Sequence, residues 1–204
     1  MSETKKFKQA QNKIVTFLGS REFKEQEDAQ STQSSVPILQ QIIKLGYITD
    51  NSQEGVVNNG YNNETKKYFR EEERAYVSGF MQSEKARKFI EWINTYTEKV
   101  ALIVFNEPSE EFYNLFISDA YIPSIAQTIS GTSKSPIIHN NEMHIYSKAM
   151  TVLPSRLIEF QKEQVYLNGI NQVEYIYCFD PVYGRLATSN KGLYNDVLNA
   201  LENI

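Results

Sequence analysis

RAYVSGFMQSEKARKFIEWINTYTEKVALIVF, residues 74–105, holds three successive apolar patterns of different period. Arg74 to Phe80 can form a strand, and Ser83 can cap a helix whose inward positions are Ala86, Phe89, Ile90, Ile93 and Tyr96. Val100 to Phe105 then runs as an unbroken apolar strand. Strand, amphipathic helix and buried strand in that order predict a βαβ unit, whose crossover places the two strands parallel in one sheet. The expected class is therefore α/β or α+β, a mixed sheet containing that unit with helices packed on it.

Upstream, Phe7, Ala10, Ile14, Phe17 and Leu18 recur at helical spacing, and Gly19 suits the end of that helix. Asp28 to Ser35 is polar and reads as a linker. The expected organisation is an N-terminal helical arm over residues 1–30, docked or self-associating, and a single α/β domain over 36–204. Pro37 starts a second helix through Leu45, closed by Gly46, and Tyr47 to Thr49 resume an extended path. From Asp50 to Lys67, Asn, Gly, Gln and Glu predominate, which predicts a long exposed loop.

Downstream, Pro108 to Phe116 reads as a short helix, and Pro136–His139 with Met143–Val152 as a hairpin turning at Asn140 and Asn141. Pro154 opens a helix through about Leu167, with Asn168 and Gly169 as its stop. Val173–Phe179 supplies another strand, and Leu193, Val197, Leu198, Leu201 and Ile204 mark a C-terminal amphipathic helix.

The chain has 204 residues, of which 41% are hydrophobic, enough for one continuous core. Its 21 basic and 25 acidic residues give a formal charge of -4 with neither sign concentrated in a long stretch, whereas nonspecific nucleic-acid binding wants a basic face; Lys5, Lys6, Lys8 and Lys13 read as a solvated helix face, with an anion-binding arm as the alternative. A nucleic-acid partner is disfavoured on that ground. The single cysteine, Cys178, excludes an intramolecular disulfide framework and a multi-cysteine zinc site. No apolar stretch reaches the roughly 18 residues of a membrane span, and the polar N-terminus lacks a signal-peptide core. The expectation is a complete cytoplasmic chain with no membrane association.

The densest cluster of candidate ligand-binding residues combines Gly46-Tyr-Ile-Thr-Asp-Asn-Ser-Gln53 with Arg74-Ala-Tyr-Val-Ser-Gly-Phe80. Thr49, Ser52 and Gln53 place short polar groups beside a strand, Arg74 and Ser78 add a cation and a hydroxyl, and Gly79 permits close backbone approach. In an open α/β sheet, ligands sit outside the carboxyl ends of parallel strands, where loops present such groups. Asn106 and Glu107 would reach the same edge. The alternative is that Thr49 and Ser52 serve local turns, Gln53 is solvated and Arg74 pairs with a carboxylate. In the pattern G-x-x-T-x-x-S-Q followed by R-A-x-V-x-G-F, the chain resembles a family of uncharacterised bacterial and phage-associated proteins. The resemblance covers these two segments alone and implies no activity.

His139 and His144, with Glu142, have the residue types of a zinc site, but lack the helical H-E-x-x-H spacing, so a surface pair is expected and no metal is assigned. Ser130–Ser135 is not a Walker loop, and Ser189–Gly192 before the last helix reads as a capped turn. Glu71–Glu73 and Glu110–Glu111 read as solvated charge. Asp180, before Pro181 at a strand end, suits a turn. No catalytic residue or cofactor is assigned. The expected function is a noncatalytic binding or interaction protein with a polar small-ligand pocket, its partner a small ligand, a protein or a second copy in a homo-oligomer. One alternative is an enzyme acting on a nucleotide or other phosphate-containing substrate, with Asp180 or Glu107 as acid, base or metal ligand. Another is a structural component of a viral or cellular assembly, suggested by the first helix and the tyrosines.

Overall fold

The computed structural model describes residues 2–25, 33–55, 57–62, 67–72, 74–103, 138–139, 142–143, 155–182 and 184–204. Its centre is a four-stranded sheet of β1 (Ile48–Gln53), β4 (Tyr76–Gln82), β8 (Val173–Phe179) and β5 (Val100–Ile103), in that spatial order. Between β1 and β4 in sequence lie β2 (Val57–Asn62) and β3 (Lys67–Glu72), an antiparallel pair of their own. Here the expected exposed loop is corrected. The Asn- and Gly-rich residues 57–62 have low strand propensity, yet their backbones pair in unbroken register with 67–72, and strand propensity yields readily to such context. Short β6 (Ile138–His139) and β7 (Glu142–Met143) pair antiparallel, while the expected turn residues Asn140 and Asn141 lie outside the described residues. His144, Asn106, Glu107, Ser130–Ser135 and the Pro108–Phe116 helix lie outside the described residues.

All three ladders of the central sheet are antiparallel. The class is thus mixed α+β. Because β4 and β5 each run antiparallel to β8, they share a direction, but β8 sits between them and they do not pair directly. The connecting helix α4 (Ser83–Tyr96) packs on β4, β8 and β5. Its N-cap is Gln82 rather than Ser83, and the Ser83 backbone N–H instead donates to Gln172 O at 3.2 Å. The antiparallel ladders remove the premise that ligands collect beyond the ends of adjacent parallel strands.

Helices α1 (Glu3–Leu18), α2 (Arg21–Lys24) and α3 (Val36–Lys44) precede the sheet, while α5 (Ser155–Gln164) and α6 (Leu193–Glu202) flank β8 in sequence. One core cluster joins Leu39 and Ile42 of α3, Phe89 and Ile93 of α4, Ile176 of β8 and Val197 of α6. Phe7, Ala10, Ile14 and Leu18 of α1 belong to the same cluster, so α1 is docked on the domain. Each large apolar side chain buried there contributes about 1.5–3 kcal/mol.

Two glutamines tie α1 to α3 by capping each other's helix. Buried Gln11 donates from Nε2 to Ile43 O at 2.5 Å and Lys44 O at 3.3 Å, and Gln40 Nε2 donates to Val15 O at 2.9 Å. These carbonyls belong to last turns, where helices leave acceptors without intrahelical donors. Gly46, at φ 104°, then turns the chain from α3 into β1, a conformation that only glycine adopts without strain.

Candidate functional site

β1 and β4 bring the two sequence segments together. Thr49 lies opposite Gly79, Asn51 opposite Ser78, Ser52 opposite Val77 and Gln53 opposite Tyr76. The register slips between Thr49 and Asn51, so Asp50 occupies a bulge, a device that re-aims side chains at sheet edges. A Cβ on Gly79 would drive into the Ile48 carbonyl, which explains the glycine by backbone proximity rather than by a ligand.

Asp50 is partly exposed and gathers the polar groups of this edge. Ser78 Oγ donates to its Oδ1 at 2.8 Å, and Tyr175 Oη to its Oδ2 at 2.9 Å. Burial of the carboxyl raises its pKa above the ordinary aspartate value, and the bonds from Ser78 and Tyr175 offset part of that shift. Burial likewise raises the Tyr175 phenol, with the Asp50 charge adding to it. The Ser52 backbone N–H donates to Asn51 Oδ1 at 2.8 Å. Arg74 Nε donates to Pro181 O at 2.9 Å. Arg74 and Ser78 are therefore engaged in internal bonds, and Thr49, Ser52 and Gln53 are all partly exposed on β1.

A second polar centre lies where β8 ends. Asp180 is fully buried and accepts from Arg185 Nε at 2.5 Å, Arg185 Nη2 at 2.6 Å and the Val182 N–H at 2.9 Å. Lys99, buried at the start of β5, places Nζ 2.7 Å from Asp196 Oδ2 and 3.8 Å from Asp180 Oδ2, and donates to Lys191 O at 3.0 Å. Arg185 also pairs with Glu98, whose carboxyl it holds below the usual range. The arrangement clamps residues 180–192 to the sheet, and the cations that would serve an anionic substrate already hold carboxylates. Gly192 fits the same clamp, since a Cβ there would meet the carbonyls of Leu186 and Ala187.

The third feature is on the surface. Helix α5 ends at Gln164, and the left-handed residue after it is Tyr166, at φ 61°, ahead of the expected stop at Asn168 and Gly169. The N–H groups of Tyr166 and Leu167 donate to Glu163 O and Lys162 O, a helix-ending pattern that favours glycine at the turning residue. Tyr166 is 51% exposed, and its ring lies 4.5 Å from Lys13 Nζ on α1. Together with Asn12, Thr16, Phe17 and Glu22 they line an open groove along the C-terminal half of α1.

Sequence reasoning singled out Asp180 as a placed carboxylate but missed Asp50, Tyr175, Lys99, Arg185 and Tyr166. Asp50 stood between Thr49 and Ser52 but read as the first residue of the expected loop, whereas the structure carries β1 through it to Gln53. No group of histidine, cysteine and carboxylate side chains able to hold a metal occurs among the described residues. No described helix is long and apolar enough to cross a membrane. Compared with protein families, curated proteins and solved structures, the chain matches nothing.

Proposed function

We propose that the chain is a noncatalytic binding or interaction protein that meets its partner through the groove between α1 and Tyr166. One observation carries the reading: a large, half-exposed aromatic side chain occupies a left-handed helix-ending position that costs an L-residue about 1–2 kcal/mol and a glycine nothing. Strain kept at a surface residue points to use of its side chain. Tyrosine presents large contact area at low entropic cost, which suits recognition. The internal bonds of Arg74 and Ser78 also favour this surface over a polar pocket.

Tyr166→Gly separates the roles, because it relieves the backbone while deleting the contact. Immobilised wild-type protein should retain from its native lysate a species that the variant does not. Identical captures by both would remove the groove from the reading. A second reading, an enzyme acting on a nucleotide or other phosphate-containing substrate, draws support from Asp50, whose carboxyl has a pKa raised by burial and accepts from Ser78 and Tyr175. Hydrolysis of a nucleotide and phosphate-ester panel that disappears in Asp50→Asn would favour it.

A further inference from the structure

We infer that the occupant of this groove is a second copy of the chain, paired about a two-fold axis; the inference rests on the groove being an interaction surface. Lys13 and Glu22 are both exposed and both line the groove, so it presents opposite charges at two places. A strongly acidic partner would meet Glu22, and a strongly basic one Lys13. In a two-fold interface residue i meets residue j and j meets i. A second copy therefore sets Lys13 against Glu22 of the partner subunit twice, with every charge complemented by one rotation.

The apolar content fits the same geometry. Phe17 is half-buried on α1 and Tyr166 stands at the groove wall, so the axis brings two aromatic residues from each copy to the centre, flanked by the two ion pairs. Aromatic anchors within a charged rim are the usual anatomy of protein interfaces. The remaining exposed lysines of α1, Lys5 and Lys8, lie about 7–12 Å farther along the helix axis from Lys13, at 1.5 Å per residue. The few groove-lining residues predict a dimer weaker than interfaces of standard size.

Sedimentation of the purified full-length chain over a range of concentrations tests the pairing. Wild type should show a reversible monomer–dimer equilibrium, and Tyr166→Gly should melt no lower than wild type yet sediment as a monomer. Lys13→Glu and Glu22→Lys should each weaken self-association about tenfold or more, because each opposes like charges twice. An equimolar mixture of these two variants should dimerise again, since each then supplies the charge the other lacks. Circular dichroism of each single variant establishes that it is folded. A wild type that stays monomeric overturns the second-copy inference, while the lysate comparison separately judges the groove. Dimers indifferent to Tyr166→Gly and to charge reversal, or variants that fail to associate when mixed, overturn it as well.

Discussion

Asp180 and Asp50 are the carboxylates on which the two polar centres turn, and they are neutralised in opposite ways. Asp180, fully buried, is enclosed by the Arg185 guanidinium and faces the Lys99 ammonium. Asp50, partly exposed at the β1 bulge, is held by the hydroxyls of Ser78 and Tyr175. Cations stabilise a buried charge strongly but leave it expensive to disrupt, whereas hydroxyls leave a carboxyl closer to taking up a proton. One centre is an anchor for residues 180–192. The other is a proton-sensitive contact between an edge strand and the middle of the sheet.

The largest effect should come from Lys99→Met, which keeps the stem but leaves Asp196 and Asp180 short of a buried cation. Breaking a buried pair from one side costs about 3–5 kcal/mol. Urea denaturation should show this, and a loss below about 1 kcal/mol would make the two centres equivalent. Gly79→Ala attacks the other centre by forcing apart the β1 and β4 backbones beside Asp50. We expect about 1–3 kcal/mol from overpacking, together with a changed Tyr175 environment in near-ultraviolet circular dichroism and an intact Lys99 network.

Tyr175→Phe removes one donor to Asp50 and should cost about 1–2 kcal/mol, less than Lys99→Met because Ser78 still donates to the carboxyl. The smallest effect is in pH. A carboxyl whose folded pKa lies above its unfolded value binds the proton more tightly when folded, so its contribution falls as pH rises from about 4 through the raised pKa. Asp50→Asn should therefore gain in melting temperature relative to wild type across that interval. Glu98, held low by Arg185, works in the opposite direction in wild type and variant alike and cancels in the difference. A difference that does not change with pH would place the Asp50 carboxyl at its unfolded value.

The elements most legible in the sequence were those whose apolar residues repeat without competition. α4, β8 and α6 follow from Phe89 and Ile93, from Val173–Phe179 and from Leu193, Val197 and Leu201. The pairing of β1 with β4 was also readable, because two short extended segments met across a glycine that needs close approach. Strand direction was not, since β8 enters between β4 and β5 from about 70 residues downstream and no local pattern announces that insertion. Asn58, Asn59 and Gly60 disguised β2, whose order comes from pairing rather than propensity. Lys99 carried no signal in the sequence, because only the folded chain brings Asp180 and Asp196 to it. Tyr166 was overlooked because Gly169 offered a better residue for the same task.

The sole thiol of the chain gives these comparisons a clock. Cys178 is buried in β8, and burial pushes its pKa well up, so the folded protein holds it as a protonated, shielded thiol. Alkylation needs thiolate and access, and both arise when the sheet opens. With one cysteine in the sequence, a single mass increment marks each molecule that has opened. Labelling rates at Cys178 thereby report the opening free energy of the central strands under native conditions, without denaturant.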